Sequence, residues 1–368
     1  MPERLNKQPA DKKIWPISNH WGRNYRSKSG GKDYACQAQR YRRCKVKKII
    51  TLFLLYSLFL LYSLSAFAQT DIDAAKKAYD AGDYETAYKL YLPLAEKGDA
   101  EAQTRIGGFY LHGKGVAQDY AEAAKWLRKA ADQGYAEGQN ILGFAYSFGE
   151  GVAQDYAEAL KWFRKSAEQG NAQGQNSLGV LYAAGQGVAK DYTEAMKWIR
   201  KAAEQGNADG QNNLGEFYAN GLGVTQDYAE AFKWYLKAAD QGHIRSQVNI
   251  GYMYRNGLGT EQNYFEALKW YRKAAEQGSP DAQNNIGVIY ENGWGVPKDI
   301  IRAYAWYSIA LANGYGAAKI PVNGLKALMN QQQLNKANVL IKELNETYGK
   351  KGNTLKQVKD NTLEQFVE

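Results

Sequence analysis

The sequence has little of what catalytic and metal-binding sites are usually built from. It contains two cysteines and three histidines among 368 residues. Both cysteines, Cys36 and Cys44, lie in the N-terminal stretch, so the rest of the chain can form neither a disulfide framework nor a thiolate metal site. Beyond that stretch, His112 and His243 are far apart and belong to no nucleophile, acid–base or metal-ligand pattern. The sequence therefore predicts a binding protein that uses no cofactor and no catalytic residues.

Most of the chain has no excess of positive charge, although the full sequence carries a formal net charge of +9. Residues 1–48 contribute +11 and the remaining residues contribute −2. Nucleic-acid binding requires clustered Lys and Arg side chains that displace counterions from phosphates. The near-neutral remainder gives no support to a nucleic-acid partner.

One long apolar run, residues 49–68, follows the basic residues 45–48 and ends in Ala66-Phe67-Ala68. A basic segment, an apolar segment and an A-x-A site are typical of a secretory signal peptide, so residues 46–68 are predicted to be one, with cleavage after Ala68. The alternative is an uncleaved inner-membrane anchor, since twenty helical residues span about 30 Å. In both cases the rest of the chain lies outside the cytoplasm, and after cleavage it is periplasmic or secreted.

Residues 1–45 show neither a helical nor a strand period, and two interpretations stay open. They form a disordered basic leader, or they are not translated because initiation occurs at Val46 from an alternative start codon. Initiation at Val46 would give a short basic segment of the usual kind before the apolar run. Mapping of ribosome start sites distinguishes the two.

A strict 36-residue period dominates the rest of the chain. Six of the nine tryptophans share one register: Trp126, Trp162, Trp198, Trp234, Trp270 and Trp306. Glycine recurs in the same way at Gly98, Gly134, Gly170, Gly206, Gly242, Gly278 and Gly314. Such self-similarity is typical of arrays in which each unit buries its apolar side against its neighbours.

Each unit is predicted to be a helix, a loop and a second helix. In the third unit, residues 172–184 have apolar side chains at helical spacing, including Leu178 and Leu181. Gly179 inside this helix costs about 0.5–1 kcal/mol relative to alanine, which predicts the close approach of another helix. The Gly-x-Gly loop that follows lacks the strand and the Lys-Ser/Thr of a phosphate loop, so it is interpreted as a turn. The recurring Asp and Glu at the start of the second helix, as in Asp155 and Glu158, resemble a capping box.

The recurring pattern is A-x-x-Q-x-x-[IL]-G-x-x-Y, then G-x-G-V-x-x-D-Y-x-E-A-x-K-W-x-x-K-A-A-x-Q-G. It resembles the Sel-1-like repeat family, a relative of tetratricopeptide repeats. The resemblance implies an all-α, right-handed α-solenoid superhelix of 36-residue helix-turn-helix repeats. Residues 98–314 are then six repeats, residues 71–97 and 315–348 are helical caps at the two ends, and residues 349–368 are a flexible tail.

Family resemblance also implies that the first helices line a concave face that holds ligands. Two neighbouring columns on these helices are rich in asparagine and are expected to face the ligand, where amides can pair with the backbone of an extended peptide. The alternative is that these asparagines join adjacent helices. Variable columns nearby supply larger side chains of the kind found at binding hot spots. The predicted partner-binding residues are Asn140, Phe144, Asn176, Asn212, Asn213, Glu216, Asn249, Tyr252, Arg255, Asn284 and Asn285.

The predicted function is that of an extracytoplasmic scaffold or adaptor for a peptide or protein partner. Two alternatives remain. Cell-wall glycan binding is favoured by the abundance of tyrosine, although most tyrosines fall on repeat columns. Binding or hydrolysis of β-lactams is associated with family members that carry cysteine pairs in every repeat, and the repeats of this chain contain no cysteine.

Overall fold

The computed structural model describes residues 72–349. The predicted signal peptide or anchor, the basic leader and most of the predicted tail lie outside these residues. Within residues 72–349 the chain folds into sixteen α-helices and one 3₁₀ turn, without β-strands, and none of the helices has the length and apolarity to cross a membrane. The all-helical architecture predicted from the 36-residue period is therefore confirmed.

The helices alternate along the chain as the predicted hairpins require. A first hairpin consists of α1 (residues 72–80) and α2 (Tyr84–Glu96). Six hairpins of 13-residue helices follow: α3 (Ala100–His112), α4 (Tyr120–Asp132), α5 (Ala136–Phe148), α6 (Tyr156–Glu168), α7 (Ala172–Ala184), α8 (Tyr192–Glu204), α9 (Ala208–Asn220), α10 (Tyr228–Asp240), α11 (Ile244–Asn256), α12 (Tyr264–Glu276), α13 (Pro280–Asn292) and α14 (Ile300–Ala312). The chain closes with a 3₁₀ turn (Gly316–Ala318), α15 (Lys319–Leu328) and α16 (Gln331–Tyr348).

In the six hairpins from α3 to α14, the second helix begins at a side chain that accepts two backbone N–H groups. In α6, Asp155 accepts from the amides of Ala157 and Glu158. Such a cap stabilises a helix by roughly 1 kcal/mol, because these amides have no partner inside the helix. The reciprocal half of the predicted capping box is wrong, since Glu158 turns outward and accepts from Nζ of Lys161 at 2.6 Å. The lysine one turn along competes for the carboxylate that a capping box would need.

The Gly-x-Gly loops have the turn chemistry that the sequence predicts. Gly185 ends α7 in the left-handed region at φ 73°, and its N–H donates to the carbonyl of Leu181. The second glycine, Gly187, lies so close to the preceding hairpin that a Cβ there would be 2.3 Å from the carbonyl oxygen of Tyr156. The loop is therefore also a contact between consecutive hairpins.

The glycine inside each first helix admits a large side chain from the second helix of the same hairpin. A Cβ at Gly143 would lie 2.6 Å from the ring of Phe163, and one at Gly215 would lie 2.6 Å from the ring of Tyr235. The close approach predicted for this column is confirmed, and the bulky residue directly after each repeat tryptophan is the side chain that requires it.

Consecutive hairpins are joined by aromatic rings and by arginine–tyrosine hydrogen bonds. Trp162 and most other tryptophans of the column are buried, and a lysine three residues later lies over each of the first five rings. Arg164 of one hairpin donates to the hydroxyl of Tyr182 in the next at 2.6 Å. Equivalent bonds join Arg128 to Tyr146, Arg200 to Tyr218 and Arg272 to Tyr290. Leu236 takes the arginine position before α11, so that junction lacks this polar contact.

The final helix, α16, covers the end of the array by packing on α14, and its inward side chains include Leu334, Ile341 and Leu344. Val339, on the same helix, is 60% exposed, whereas Ala337 is fully buried and continues the inward side of α16.

Candidate functional site

The candidate site is the surface formed by the first helices, α3, α5, α7, α9, α11 and α13, called here the first-helix face. Along the first four repeats, the first helices of adjacent hairpins contact one another directly, whereas contact between the corresponding second helices is slighter. Closer spacing on one side of a stack makes that side the inner one, and such inner surfaces are where repeat arrays bind extended partners.

The two asparagine-rich columns on this face do not point together into solvent. Asn176 and Asn212 are 0% exposed, Asn213 is 1% exposed and Asn140 is also buried. For these four residues the expectation of an exposed row that faces a ligand is wrong. One column of each helix turns toward the next helix, because adjacent first helices pack closely enough for their side chains to meet.

The buried amides form hydrogen bonds between successive first helices, and we call this set the asparagine ladder. Its short rung joins Nδ2 of Asn213 to Oδ1 of Asn176 at 2.8 Å. Longer rungs join Ser177 to Asn140 at 3.4 Å and Asn249 to Asn212 at 3.5 Å. The interhelical interpretation of these columns is thus the one that the geometry favours from α5 to α11.

The ladder stops at Val248, which occupies the asparagine column of α11 and has no polar side-chain atom. The next residue that would form a rung, Asn285, instead accepts a hydrogen bond from Nη1 of Arg255 at 3.1 Å. Asn249, Asn284 and Asn285 are all half-buried and keep some accessible surface. The polar character of the face therefore changes between α11 and α13.

Beyond the ladder lies a group of aromatic rings around one arginine, which we call the Arg255 cluster. The Arg255 guanidinium is 5.1 Å from the ring centroid of Tyr252 and 5.8 Å from that of Trp294. Trp294 stacks on Tyr264, with centroids 5.5 Å apart and an interplanar angle of 18°. Tyr252 is 46% exposed, the most accessible aromatic side chain of the first-helix face. Trp294 is half-buried because Tyr264 covers one face of its ring.

Beneath the Arg255 cluster, the hydroxyl of Tyr271 has no hydrogen-bond partner within residues 72–349, and neither has Nε of Arg255. Both atoms are buried. Burial raises the pKa of the Tyr271 hydroxyl, and the nearby Arg255 charge opposes this rise without cancelling it. The hydroxyl therefore stays protonated at neutral pH and remains a hydrogen-bond donor.

Two other predicted binding residues are partly engaged by the fold. Phe144 packs edge-on against Phe163, with centroids 4.9 Å apart, and stacks with Phe148 at 6.3 Å. Glu216 accepts from Nδ2 of Asn212 at 2.9 Å and pairs with Arg245 at 3.5 Å. Each keeps only part of its surface available to a partner.

Near the ladder, one histidine links two hairpins. His243 caps α11, its Nε2 lies 3.3 Å from Oδ1 of Asp209, and its Nδ1 lies 2.9 Å from Oγ of Ser246. That hydroxyl in turn donates to Oδ1 of Asn212 at 2.9 Å. The hydrogen bond from His243 and its nearby charge lower the pKa of Asp209, against an opposing effect of burial.

Among the described residues, no group of three or more His, Cys, Asp and Glu side chains could hold a metal ion.

Sequence reasoning selected Tyr252 and Arg255 but missed that Tyr264 and Tyr271 belong with them. A signal was present in the departures from the repeat. Arg255 stands where the other repeats have Leu111, Ser147, Ala183, Ala219 and Glu291, and Trp294 stands where they have Lys114, Glu150, Gln186, Leu222 and Leu258. Two departures at positions close in space indicate a local specialisation of an otherwise uniform array.

Comparison with known proteins agrees with the repeat geometry. The family model described as Sel1 repeat matches residues 76–99, 100–135, 136–171, 172–207, 208–243, 244–279 and 280–315. A Sel1 repeat protein from Oxalobacter formigenes is 33% identical; the alignment covers 65% of this chain and 96% of that one, with a TM-score of 0.59. A protective antigen of uropathogenic Escherichia coli strains with an SLR fold is 27% identical, over 77% of this chain and 85% of that one, with a TM-score of 0.41. A search of curated proteins gives no match.

Proposed function

The chain belongs to the Sel1 repeat family, and from that premise we propose that it is an extracytoplasmic scaffold whose first-helix face binds an extended segment of a partner protein. Proteins of this family are generally scaffolds for protein–protein interaction. The proposal adds a location, a surface and a kind of partner.

The observation that carries the proposal is the Arg255 cluster. Tyrosine, tryptophan and arginine are the residue types that dominate binding energy at protein interfaces, especially where they lie together in a protected pocket. Here the Arg255 guanidinium lies over the rings of both Tyr252 and Trp294, and Tyr252 is almost half exposed. The contacts with Arg255 restrict the two aromatic rings before a partner arrives, which reduces the entropy that the rings lose on binding.

The half-buried asparagines beside the cluster supply a second element of recognition. Asn249, Asn284 and Asn285 each carry an amide that can both donate and accept. An extended peptide exposes one N–H and one C=O per residue, which matches such amides in a row. The exposed part of the face between α11 and α13 therefore combines hot-spot side chains with groups that can hold a peptide backbone.

The extracytoplasmic location rests on the apolar run that ends in Ala66-Phe67-Ala68. If the signal peptide is cleaved after Ala68, the exported protein begins at Gln69. Mass spectrometry of the N-terminal peptide from a periplasmic extract tests this, and a protein found only with the intact apolar run would be a membrane anchor instead.

Site-specific photocrosslinking in living cells tests the scaffold function. A photoreactive amino acid is placed at Tyr252 or Asn284 on the first-helix face. A matched variant carries it at Lys233, which is exposed on the second helix α10 and pairs there with Glu230. We expect discrete protein adducts from Tyr252 and Asn284 but not from Lys233.

Two outcomes contradict the proposal. Adducts from Lys233 alone would place partner binding on the second helices. Adducts of heterogeneous mass that collapse after muramidase digestion would identify cell-wall glycan, the alternative partner, as what lies against this face.

A further inference from the structure

Two consecutive hairpins bury a tyrosine in the same way but satisfy its hydroxyl differently. The rings of Tyr271 and Tyr307 each lie against the helix-interior glycine of their own hairpin, where a Cβ would come within 2.6 and 2.8 Å of ring carbons. In the last hairpin, the hydroxyl of Tyr307 donates to Oε2 of Glu291 at 2.7 Å. The residue 36 positions before Glu291 is Arg255. Where one hairpin supplies a carboxylate, the preceding one supplies a guanidinium.

Because Arg255 stands where the last hairpin has Glu291, two buried hydrogen-bond donors are left without an acceptor. The Tyr271 hydroxyl and Nε of Arg255 have no partner within the described part of the chain, and Nη1 of Arg255 is held only by the neutral amide of Asn285. An unsatisfied buried polar group costs about 1–3 kcal/mol, so a protein keeps one where a ligand completes it or where function requires it. By contrast, Arg245, on the same helix α11, lies 3.5 Å from the carboxylate of Glu216.

We propose that a carboxylate of the partner protein, from an acidic side chain or from its C-terminus, binds between Arg255 and Tyr271, in the position that the Glu291 carboxylate occupies beside Tyr307. The inference rests on the proposed function, because it names the group of the partner that this face recognises. The guanidinium and the hydroxyl both donate to the incoming carboxylate, and hydrogen bonds to a charged acceptor are about twice as strong as neutral ones.

The surroundings of Arg255 suit this role. Its guanidinium lies over Tyr252 and Trp294, and contact with aromatic rings orients the planar group while leaving its edge free to bind a carboxylate. Its one bond to Asn285 is a neutral one and is easily exchanged for a charged acceptor. Because the two donor atoms are covered, binding requires the Arg255 side chain to change rotamer, and Tyr252 marks the exposed edge at which the carboxylate enters.

A nuclear magnetic resonance titration of the ¹⁵N-labelled exported protein tests the proposal directly. The resonance of the Arg255 Nε–H group is assigned by its absence in Arg255→Lys. Three probes are compared at constant ionic strength: N-acetyl-phenylalanine for a C-terminal carboxylate, N-acetyl-aspartate methylamide for a side-chain carboxylate, and N-acetyl-phenylalaninamide as the neutral control. We expect saturable shifts with the carboxylates alone, and the tighter probe identifies the source.

Variants define the two donors. Tyr271→Phe is expected to weaken carboxylate binding about tenfold, the loss of one hydrogen bond to a charged group. Arg272→Gln is the matched control, because Arg272 lies on the second helix and donates to the hydroxyl of Tyr290. An equal shift with the neutral probe, no shift with either carboxylate, or the same loss in Arg272→Gln would overturn the proposal.

A stability measurement gives an independent test that needs no ligand. Arg255→Glu supplies the missing carboxylate from within the chain, as in the last hairpin, whereas Arg255→Gln removes the charge without supplying one. We expect a higher melting temperature for Arg255→Glu than for Arg255→Gln, and we expect Tyr271→Phe to abolish the difference. Equal melting temperatures would mean that no carboxylate fits beside Tyr271, and the proposal would fail.

The carboxylate site and the scaffold function can be rejected separately. Adducts from Tyr252 that persist in Arg255→Gln, together with probes that do not bind, would retain the scaffold and reject the carboxylate site. Carboxylate probes that bind in the absence of any adduct from Tyr252 or Asn284 would retain the site and reject a protein partner on this face.

Discussion

The two halves of the first-helix face are built from the same repeat but use their polar side chains in different ways. From α5 to α11 mostly buried amides bond to one another, as Asn213 does to Asn176, although Nδ2 of Asn176 and Oδ1 of Asn213 have no partner in the described residues. From α11 to α13 polar groups remain partly exposed or lack partners, as Tyr271 and Arg255 do. A polar column on a repeat surface therefore does not by itself identify a binding site. The positions of its hydrogen-bond partners decide its role.

One residue, Val248, separates the halves. Without an acceptor at this position, Nδ2 of Asn285 cannot form the rung that its predecessors form, and it donates to the carbonyl of Asp281 in its own helix instead. The oxygen of the same amide accepts from Arg255, whose guanidinium lies over Tyr252 and Trp294. The end of the asparagine ladder therefore coincides with the start of the Arg255 cluster.

The largest effect that tests this comparison is expected from the ladder. Asn212→Ala combined with Asn213→Ala removes the acceptor shared by Ser246 and Asn249 and the donor that bonds to Asn176. Unsatisfied buried groups cost about 1–3 kcal/mol each, and the bond between Asn249 and Asn212 is long and therefore contributes little. We expect a loss of about 3 kcal/mol in the free energy of unfolding. Chemical denaturation measures it, and photocrosslinking at Tyr252 should be retained in the folded variant.

The matched variant lies in the other half of the face. Tyr252→Ala with Arg255→Ala is expected to leave stability nearly unchanged and to abolish crosslinking from Asn284. If the ladder variant keeps its stability but loses the partner, the asparagines are the binding residues and the comparison is reversed.

A smaller effect distinguishes the two equivalent tyrosines. Tyr307→Phe removes a hydrogen bond to the carboxylate of Glu291 and is expected to cost about 2 kcal/mol. Tyr271→Phe removes a hydroxyl that has no partner, so it is expected to be neutral or slightly stabilising. Differential scanning calorimetry of both variants checks this. Equal losses would show that the hydroxyl of Tyr271 is already satisfied.

The fold was predicted well from local sequence signals because the same helix and turn signals recur in each of the six repeats. The helix predicted over residues 172–184 is α7, and the Gly-x-Gly turns and close helix contacts at interior glycines are as expected. The reciprocal capping bond failed because Lys161 competes for Glu158, a choice that depends on side-chain rotamers.

The candidate site was only partly predictable. Tyr252 and Arg255 stood out as large residues in variable columns. The burial of Asn176 and Asn212 depends on the distance between adjacent helices, which an alignment of the repeats does not give. Arg255 and Tyr271, whose hydroxyl feels the arginine charge, belong to two helices whose relative rotation fixes which side chains come close. Comparing repeats position by position would have found the departures, though not their partners.

The smallest effect concerns the only histidine tied to the ladder within residues 72–349. Asp209 contacts His243, which contacts Ser246, whose hydroxyl donates to Asn212. The pKa of Asp209 is lowered in the folded protein from its usual 3.8, so the ionised carboxylate stabilises the fold. Because the folded pKa lies below the unfolded one, this stabilisation is complete above the unfolded pKa and disappears as pH falls through the folded pKa.

Asp209→Asn should therefore lower the melting temperature at neutral pH, and its difference from the unmodified protein should shrink below pH 3.8. The carboxylate is partly exposed, so the loss should not exceed about 1 kcal/mol. Glu204→Gln, at an exposed position of a second helix, is the control and should show no such pH dependence. At low pH, backbone amide hydrogen exchange should then increase in α9 and α11 before it does in α13. The reason is that the series of hydrogen bonds that starts at Asp209 ends in the asparagine ladder, which joins α9 to α11. Exchange that rises equally in all three helices would mean that the ladder does not depend on this carboxylate.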